Sequence, residues 1–302
     1  MCKASRYSIG LLSLMAAACS SNTGEIGKTP TGGGGSGTKL DALSLGDPTG
    51  TGVTTDPGGS GNIGKLTVVV RDFRMYKASD KSTNPDFENV PATDSSGNPS
   101  TTYLGPWDDL KIVTDTLGGD NLPVYANASG QSLSTHGKAA FDQWFRDVKG
   151  TNIRVEYPLE LVKDGNGNYA YDSQVSGVAT SGSATKMFFP IDDGTAYKTA
   201  FGNEGREHNY SFTVEMHTKF TYAGGEFFHF RGDDDVFVYI NKKLVINLGG
   251  IHGAEPADVQ VDSLGLTKGM EYPLDFFYAE RHVVASNLLV TTSLALTPAI
   301  IF

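Results

Sequence analysis

Three consecutive aspartates, Asp233, Asp234 and Asp235, interrupt a hydrophobic run in Arg231-Gly232-Asp233-Asp234-Asp235-Val236-Phe237-Val238-Tyr239-Ile240-Asn241. Like charges this close repel, and at the mouth of an apolar strand they are costly without a counter-charge. A hard cation would relieve the repulsion, since Ca2+ takes carboxylate, amide and backbone oxygens. Neighbouring side chains of a regular strand point to opposite faces. Two adjacent aspartates therefore reach one ion only where the backbone bends, as a cis peptide would allow. An acidic turn facing solvent is the plain alternative.

A second group comprises His252, in a Gly-rich loop, with Glu280 and His282 at alternate positions after a strand. If the two loops meet, imidazole and carboxylate would suit zinc. Otherwise the trio forms a hydrogen-bonded cluster that pins long loops, with Arg281 neutralising the three aspartates. Glu215 and His217 fall on the polar side of a long alternating segment and are expected to face solvent. His208 and His229 carry no signal.

Catalytic patterns are missing from the sequence. There is no nucleophile elbow with His and Asp partners, no Walker loop and no dinucleotide fingerprint. Glycoside hydrolysis would need two carboxylates about 5–10 Å apart across a cleft. Glu280 and Asp234 could be paired that way, but 34 acidic residues make such pairs easy to invent. Binding rather than catalysis is the expected activity.

The elements that must position these residues are strands. Lys65–Phe73 is β-branched and opens the folded part. Ile153, Val155, Tyr157, Leu159 and Leu161 alternate with polar residues, and so do Tyr210, Phe212, Val214, Met216, Thr218, Phe220 and Tyr222. Such a period of two predicts one buried and one wet face. Phe227–Arg231, Val236–Ile240, Leu244–Leu248, the alternation Tyr272 to Tyr278 and that from Leu288 to Leu296 complete the set. The turn Asn241-Lys242-Lys243 makes a hairpin of the middle pair. One helix is predicted over Lys138–Val148, where Phe141, Trp144, Phe145 and Val148 form an apolar stripe and Gly150 can end it. The stretches 77–108 and 163–208 are long, polar and turn-rich, with no resolved elements. Many short antiparallel strands favour a β-sandwich.

The chain has 302 residues and a formal net charge of -10. That balance argues against nucleic acid, whose phosphates need clustered Lys and Arg. A hydrophobic content of 39% is enough for a core. The only cysteines are Cys2 and Cys19, so no disulfide or thiolate metal site is expected in the folded part. Residues 1–19 read as an export signal: Lys3 and Arg6, then an apolar run from Ile9 to Ala18 too short to span a bilayer. Ala16-Ala17-Ala18 before Cys19 resembles the lipobox of bacterial lipoproteins, in which the cysteine is lipidated. Simple secretion, with cleavage after an alanine, is the alternative. Residues 20–62 are rich in Gly, Ser, Thr, Asp and Pro with few large apolar side chains, and are expected to be a disordered tether. The folded domain is then 63–299, held to a membrane only through its lipid.

Phe230-Arg231-Gly232-Asp233-Asp234-Asp235-Val236-Phe237-Val238, then Leu248-Gly249-Gly250-Ile251-His252-Gly253, then Phe277-Tyr278-Ala279-Glu280-Arg281-His282 with Ser286-Asn287 resemble the fibro-slime domain, a relative of the PA14 family. These motifs cover about 205–297. A weaker match begins near Gly64 and includes Val70-Arg71-Asp72-Phe73, Pro85-Asp86-Phe87 and Phe188-Phe189-Pro190-Ile191-Asp192. The resemblance implies a mainly β fold, a PA14-like antiparallel β-sandwich with one short helix and long loops, exposed on the cell envelope or in extracellular matrix. It also implies Ca2+ held by two adjacent aspartates, here Asp233 and Asp234, with an asparagine for which Asn287 is the best match. Asp235 stands where many PA14 domains have glycine. The implied ligand is extracellular polysaccharide or a cell-surface glycan, chelated through the ion. The runner-up is a structural or protein-interaction domain of the envelope with no sugar site.

Overall fold

The computed structural model describes residues 63–87, 108–128, 130–283 and 285–297. The export signal with Cys19, the linker 20–62, most of the stretch 77–108 and the last two residues of the expected domain lie outside them. No helix among the described residues is long and apolar enough to cross a membrane.

Among the described residues, besides a 3-10 turn at Val261–Leu264, there are twelve strands and two one-turn α-helices. In chain order they are β1 (Ile63–Phe73), α1 (Lys138–Phe141), β2 (Asn152–Lys163), β3 (Tyr169–Asp172), α2 (Ser173–Ser176), β4 (Val178–Ala179), β5 (Lys186–Met187) and β6 (Phe212–Thr221), then β7 (Phe227–Gly232), β8 (Asp235–Ile240), β9 (Lys243–Leu248), β10 (Glu255–Gln260), β11 (Glu271–Glu280) and β12 (Leu288–Thr292). Ten strands pair in the order β10-β7-β12-β3-β2-β1-β6-β11-β8-β9, and β4 pairs with β5 alone. All pairings are antiparallel. The long sheet folds over on itself, so that β7 and β12 lie across the principal core from β6, β11 and β8. Phe230 of β7 meets Phe276 of β11 there, ring centroids 5.8 Å apart. Each buried aliphatic or aromatic side chain in such a core contributes about 1.5–3 kcal/mol.

The expected strands are present, with shifted ends. Asn241 and Lys242 both take positive φ, 51° and 65°, at the β8–β9 hairpin, as the tight right-twisting connection requires. β10 was not legible because Glu255–Gln260 is an exposed edge whose apolar content is low. The stretch 163–208 contains β3, α2, β4 and β5.

Two expectations fail for physical reasons. The helix stops after Phe141. Asn152 donates its amide to the carbonyls of Gln143 and Arg146, and Thr213 Oγ1 donates to that of Trp144 at 2.6 Å. Those carbonyls are thereby satisfied from outside, and no continuing helix is needed to pair them. The apolar stripe itself is packed as expected, with Phe141, Trp144 and Phe145 buried. The second correction concerns the wet face of β6. Ser211, Thr213 and Glu215 are buried, because the segment leading to β2 lays a second hydrophobic layer across the outside of the sheet. Phe73, Phe87, Trp144 and Phe145 pack there against Phe237, Tyr239 and Phe277. β8 is accordingly buried at every residue.

Under that layer runs a polar network. Arg71 bonds Asp147 and Glu215, and His217 sits between Glu215 and Asp275, 2.7 Å from each. Glu215 and His217 thus hold the sheet and its cover together instead of facing water. His208 is buried as well, stacked on Phe189 and 2.6 Å from Asp192. Asp72 receives Thr199 and Asn209, and burial pushes its carboxyl up to about 7.

Candidate acidic cation site

Asp233 and Asp234 form the turn from β7 into β8, Asp235 opens β8, and the peptide between Asp233 and Asp234 is cis. Asp233, Asp234 and Asp235 are all buried, so the solvated-turn alternative does not describe them. Each carboxylate meets different partners. Asp233 accepts both the backbone N–H and the side-chain amide of Asn287, the latter at 2.9 Å. Asp234 accepts the backbone N–H of Arg281 at 3.0 Å. Asp235 accepts the Arg281 guanidinium through two nitrogens and the Gly250 N–H at 2.7 Å.

Arg281 is fully buried. Its guanidinium lies 4.6 Å over the Trp144 ring and donates also to the carbonyls of Ser134 and Asp86. The expected neutralising role therefore falls chiefly on Asp235. Asp235 is a structural anchor.

That leaves an excess of acid. Glu280, at the end of β11, is completely buried; one oxygen accepts the Tyr278 hydroxyl at 2.9 Å and the other, Oε1, has no hydrogen-bond partner. Burial, reinforced by the charges of Asp234 and Asp233, pushes the Glu280 carboxyl well above its usual range. Burial does the same to Asp234, against the pull of Arg281, and raises Asp233 against its bonds from Asn287. Three desolvated carboxyls with one guanidinium already engaged elsewhere favour either a proton or an added cation. The donors present are hard: carboxylates and an amide. They fit Ca2+ better than a soft metal.

His252 lies close enough for its charge to act on Asp233 and Asp235. Its ring bonds the carbonyls of Gly253 and Leu248. His282 turns its Nδ1 to the carbonyl of Val283. Among the described residues no three His, Cys, Asp or Glu side chains converge as a metal-binding group. That holds for Asp233, Asp234 and Glu280 as placed here, and for the zinc arrangement of His252, Glu280 and His282, in which both rings are also turned to loop carbonyls.

Asn287 is held by a close approach. It precedes β12, whose Leu288 pairs with Gly232 of β7. A Cβ on Gly232 would lie 2.4 Å from the Asn287 carbonyl oxygen and 2.6 Å from the Phe230 ring. Gly232→Ala is expected to cost about 1–3 kcal/mol by overpacking and to displace the strand that carries Asn287. Urea denaturation will read the first effect. A variant as stable as the parent would show that the contact is readily relieved.

Fold and site together define a β-sandwich domain with a buried acidic turn between β7 and β8. The model of the PA14 domain matches residues 163–299, which supports the relationship inferred from the motifs. Protein psiC of Dictyostelium discoideum is 43% identical over 197 residues, covering 62% of this chain and 36% of psiC. Protein psiR of the same organism is 41% identical over 187 residues, 61% of this chain and 18% of psiR. The chain thus spans little more than a third of one relative and less than a fifth of the other. Among solved structures, a PA14 sugar-binding domain from an RTX adhesin covers 78% of this chain and 95% of its own at 10% identity, with a TM-score of 0.25. A score that low carries no weight.

Proposed function

We propose that this chain is a non-catalytic carbohydrate-binding or adhesion module of the cell surface, in which Asp233, Asp234 and Asn287 seat a Ca2+ ion that chelates vicinal sugar hydroxyls. The observation that carries the reading is the buried acid excess at the β7–β8 turn, with Arg281 engaged by Asp235 and one Glu280 oxygen unpartnered. An ion would supply the missing positive charge and orient a sugar at a site that otherwise has only acceptors. The match to the PA14 domain supports the ligand class.

The reading extends to the fibro-slime branch, on the motifs around Asp233, His252 and Glu280, and to lipid anchoring at Cys19 of a bacterial envelope protein. Its ligand would be extracellular polysaccharide or a cell-surface glycan, with no role for nucleic acid given the acidic charge.

Metal-stripped protein should gain roughly 5–10 °C in melting temperature with Ca2+ at about 100 times its dissociation constant, corresponding to ~2.7 kcal/mol. Asp234→Asn should lose that gain while remaining folded. A glycan array run with and without chelator then tests the ligand. No Ca2+ response in the stripped parent would remove the ion-bridged mechanism and favour the protein-interaction module.

A further inference from the structure

A cleft of about 220 Å3 opens beside β2 and β3, between them and the excursion that follows α2. Its walls are aromatic. Tyr157 and Tyr197 are half-buried and meet edge to face, centroids 5.0 Å apart at 70°. Tyr157 also stands on Phe188 at 85°, and Tyr171 on Phe188 at 82°. Ser176 and Thr195 also line the cleft, the Thr195 hydroxyl donating to the carbonyls of Pro190 and Asp192. No Lys, Arg, Asp or Glu lines it, so neither an anion nor a cation is the natural occupant.

Two further observations narrow the ligand. The cleft is smaller than the roughly 300–1,000 Å3 of pockets for drug-sized molecules, which suits one ring rather than a fatty chain. Its walls are also tied to the acidic turn through hydrogen bonds. Ser286 exchanges two hydrogen bonds with the backbone of Phe188, each 2.7 Å, while its neighbour Asn287 holds Asp233. Leu288 N–H donates to Ser173, at the start of α2. One three-residue strap therefore ties the aromatic walls to the acidic site.

We infer that this cleft is a second carbohydrate subsite, independent of metal, which takes one pyranose of the same glycan. A pyranose has apolar C–H faces and a hydroxyl rim. Perpendicular tyrosine rings offer a π-face to the former and phenolic groups to the latter. The inference rests on the carbohydrate reading above but not on its cation. It turns a single-ring contact into one that recognises at least two linked sugars.

The test uses the full chain with isotope-labelled tyrosine, and NMR of the ring signals. The probes are the methyl glycosides of glucose, galactose, mannose and N-acetylglucosamine and their β-linked tetramers, in chelator. The expected result is perturbation of Tyr157 and Tyr197 by at least one probe, retained in Asp234→Asn and weakened tenfold or more in Tyr197→Ala. A Tyr197→Phe variant keeps the ring and should retain most of the binding, which separates stacking from misfolding. No tyrosine response to any probe overturns the subsite, whatever Ca2+ does at Asp234. So does a response confined to a proline-rich peptide run as a parallel probe. If perturbation appears but Ca2+ changes nothing, the subsite stands and the ion-bridged reading falls.

Discussion

Arg281→Met is expected to remove about 3–5 kcal/mol of stability, the usual cost of leaving a buried charge without its partner. The guanidinium bonds Asp235 through two nitrogens, and burial, which alone would lower its pKa, is outweighed by Asp235. Its planar fork also carries the carbonyls of Ser134 and Asp86, so lysine cannot replace it. Equilibrium urea unfolding reads the loss as a lower midpoint. The double variant Arg281→Met with Asp235→Asn should recover part of it, because the orphaned carboxylate is then neutral. A single-variant loss below about 1 kcal/mol would show that solvent reaches this site.

The second large effect is a pH dependence under the outer layer. Burial lowers the pKa of His217, but its bonds to Asp275 and Glu215 outweigh this and push it up to about 9. Both ring nitrogens face carboxylates, so the folded state favours the imidazolium. A folded pKa above the unfolded 6.5 gives stability that is complete below pH 6.5 and lost as pH rises through 9. The loss across that window is about 3 kcal/mol, at 1.36 kcal/mol per pH unit. Glu215 behaves oppositely. Burial raises its pKa, but His217 and Arg71 hold it lower, so its contribution is lost as pH falls below the ordinary carboxylate range. Denaturation midpoints at pH 6, 7.5 and 9 should fall steadily in the parent and stay nearly level in His217→Gln. Equal slopes in both proteins would assign the pH dependence elsewhere.

How far the sequence could be read follows from which interactions are local. The strands were legible because alternation is local; the bend at Asp233-Asp234 was expected only on the condition that both carboxylates reach one ion. Arg281 was identified as a counter-charge, but its preference for Asp235 depends on a contact 46 positions away. The wet face assigned to β6 failed for the same reason: nothing near Glu215 announces that Trp144 and Phe145 will cover it. The helix was overcalled because Phe141, Trp144 and Phe145 satisfy helical spacing, while Asn152 and Thr213, which take over its carbonyls, lie on other elements. The aromatic cleft was invisible, since Tyr157, Tyr171, Phe188 and Tyr197 have no common period.

The covering layer sets the size of the heritable unit. The PA14 match begins at Lys163, the last residue of β2. Residues 163–299 alone would lack β1, the neighbour of β6, and would lose the Asp86 and Ser134 carbonyls that receive Arg281. A recombination event that moved only that stretch would carry the acidic turn without the scaffold that balances its charge. A transferable cassette for this fold must start near Ile63, so domain shuffling would conserve the long N-terminal excursion together with the site it never touches in sequence.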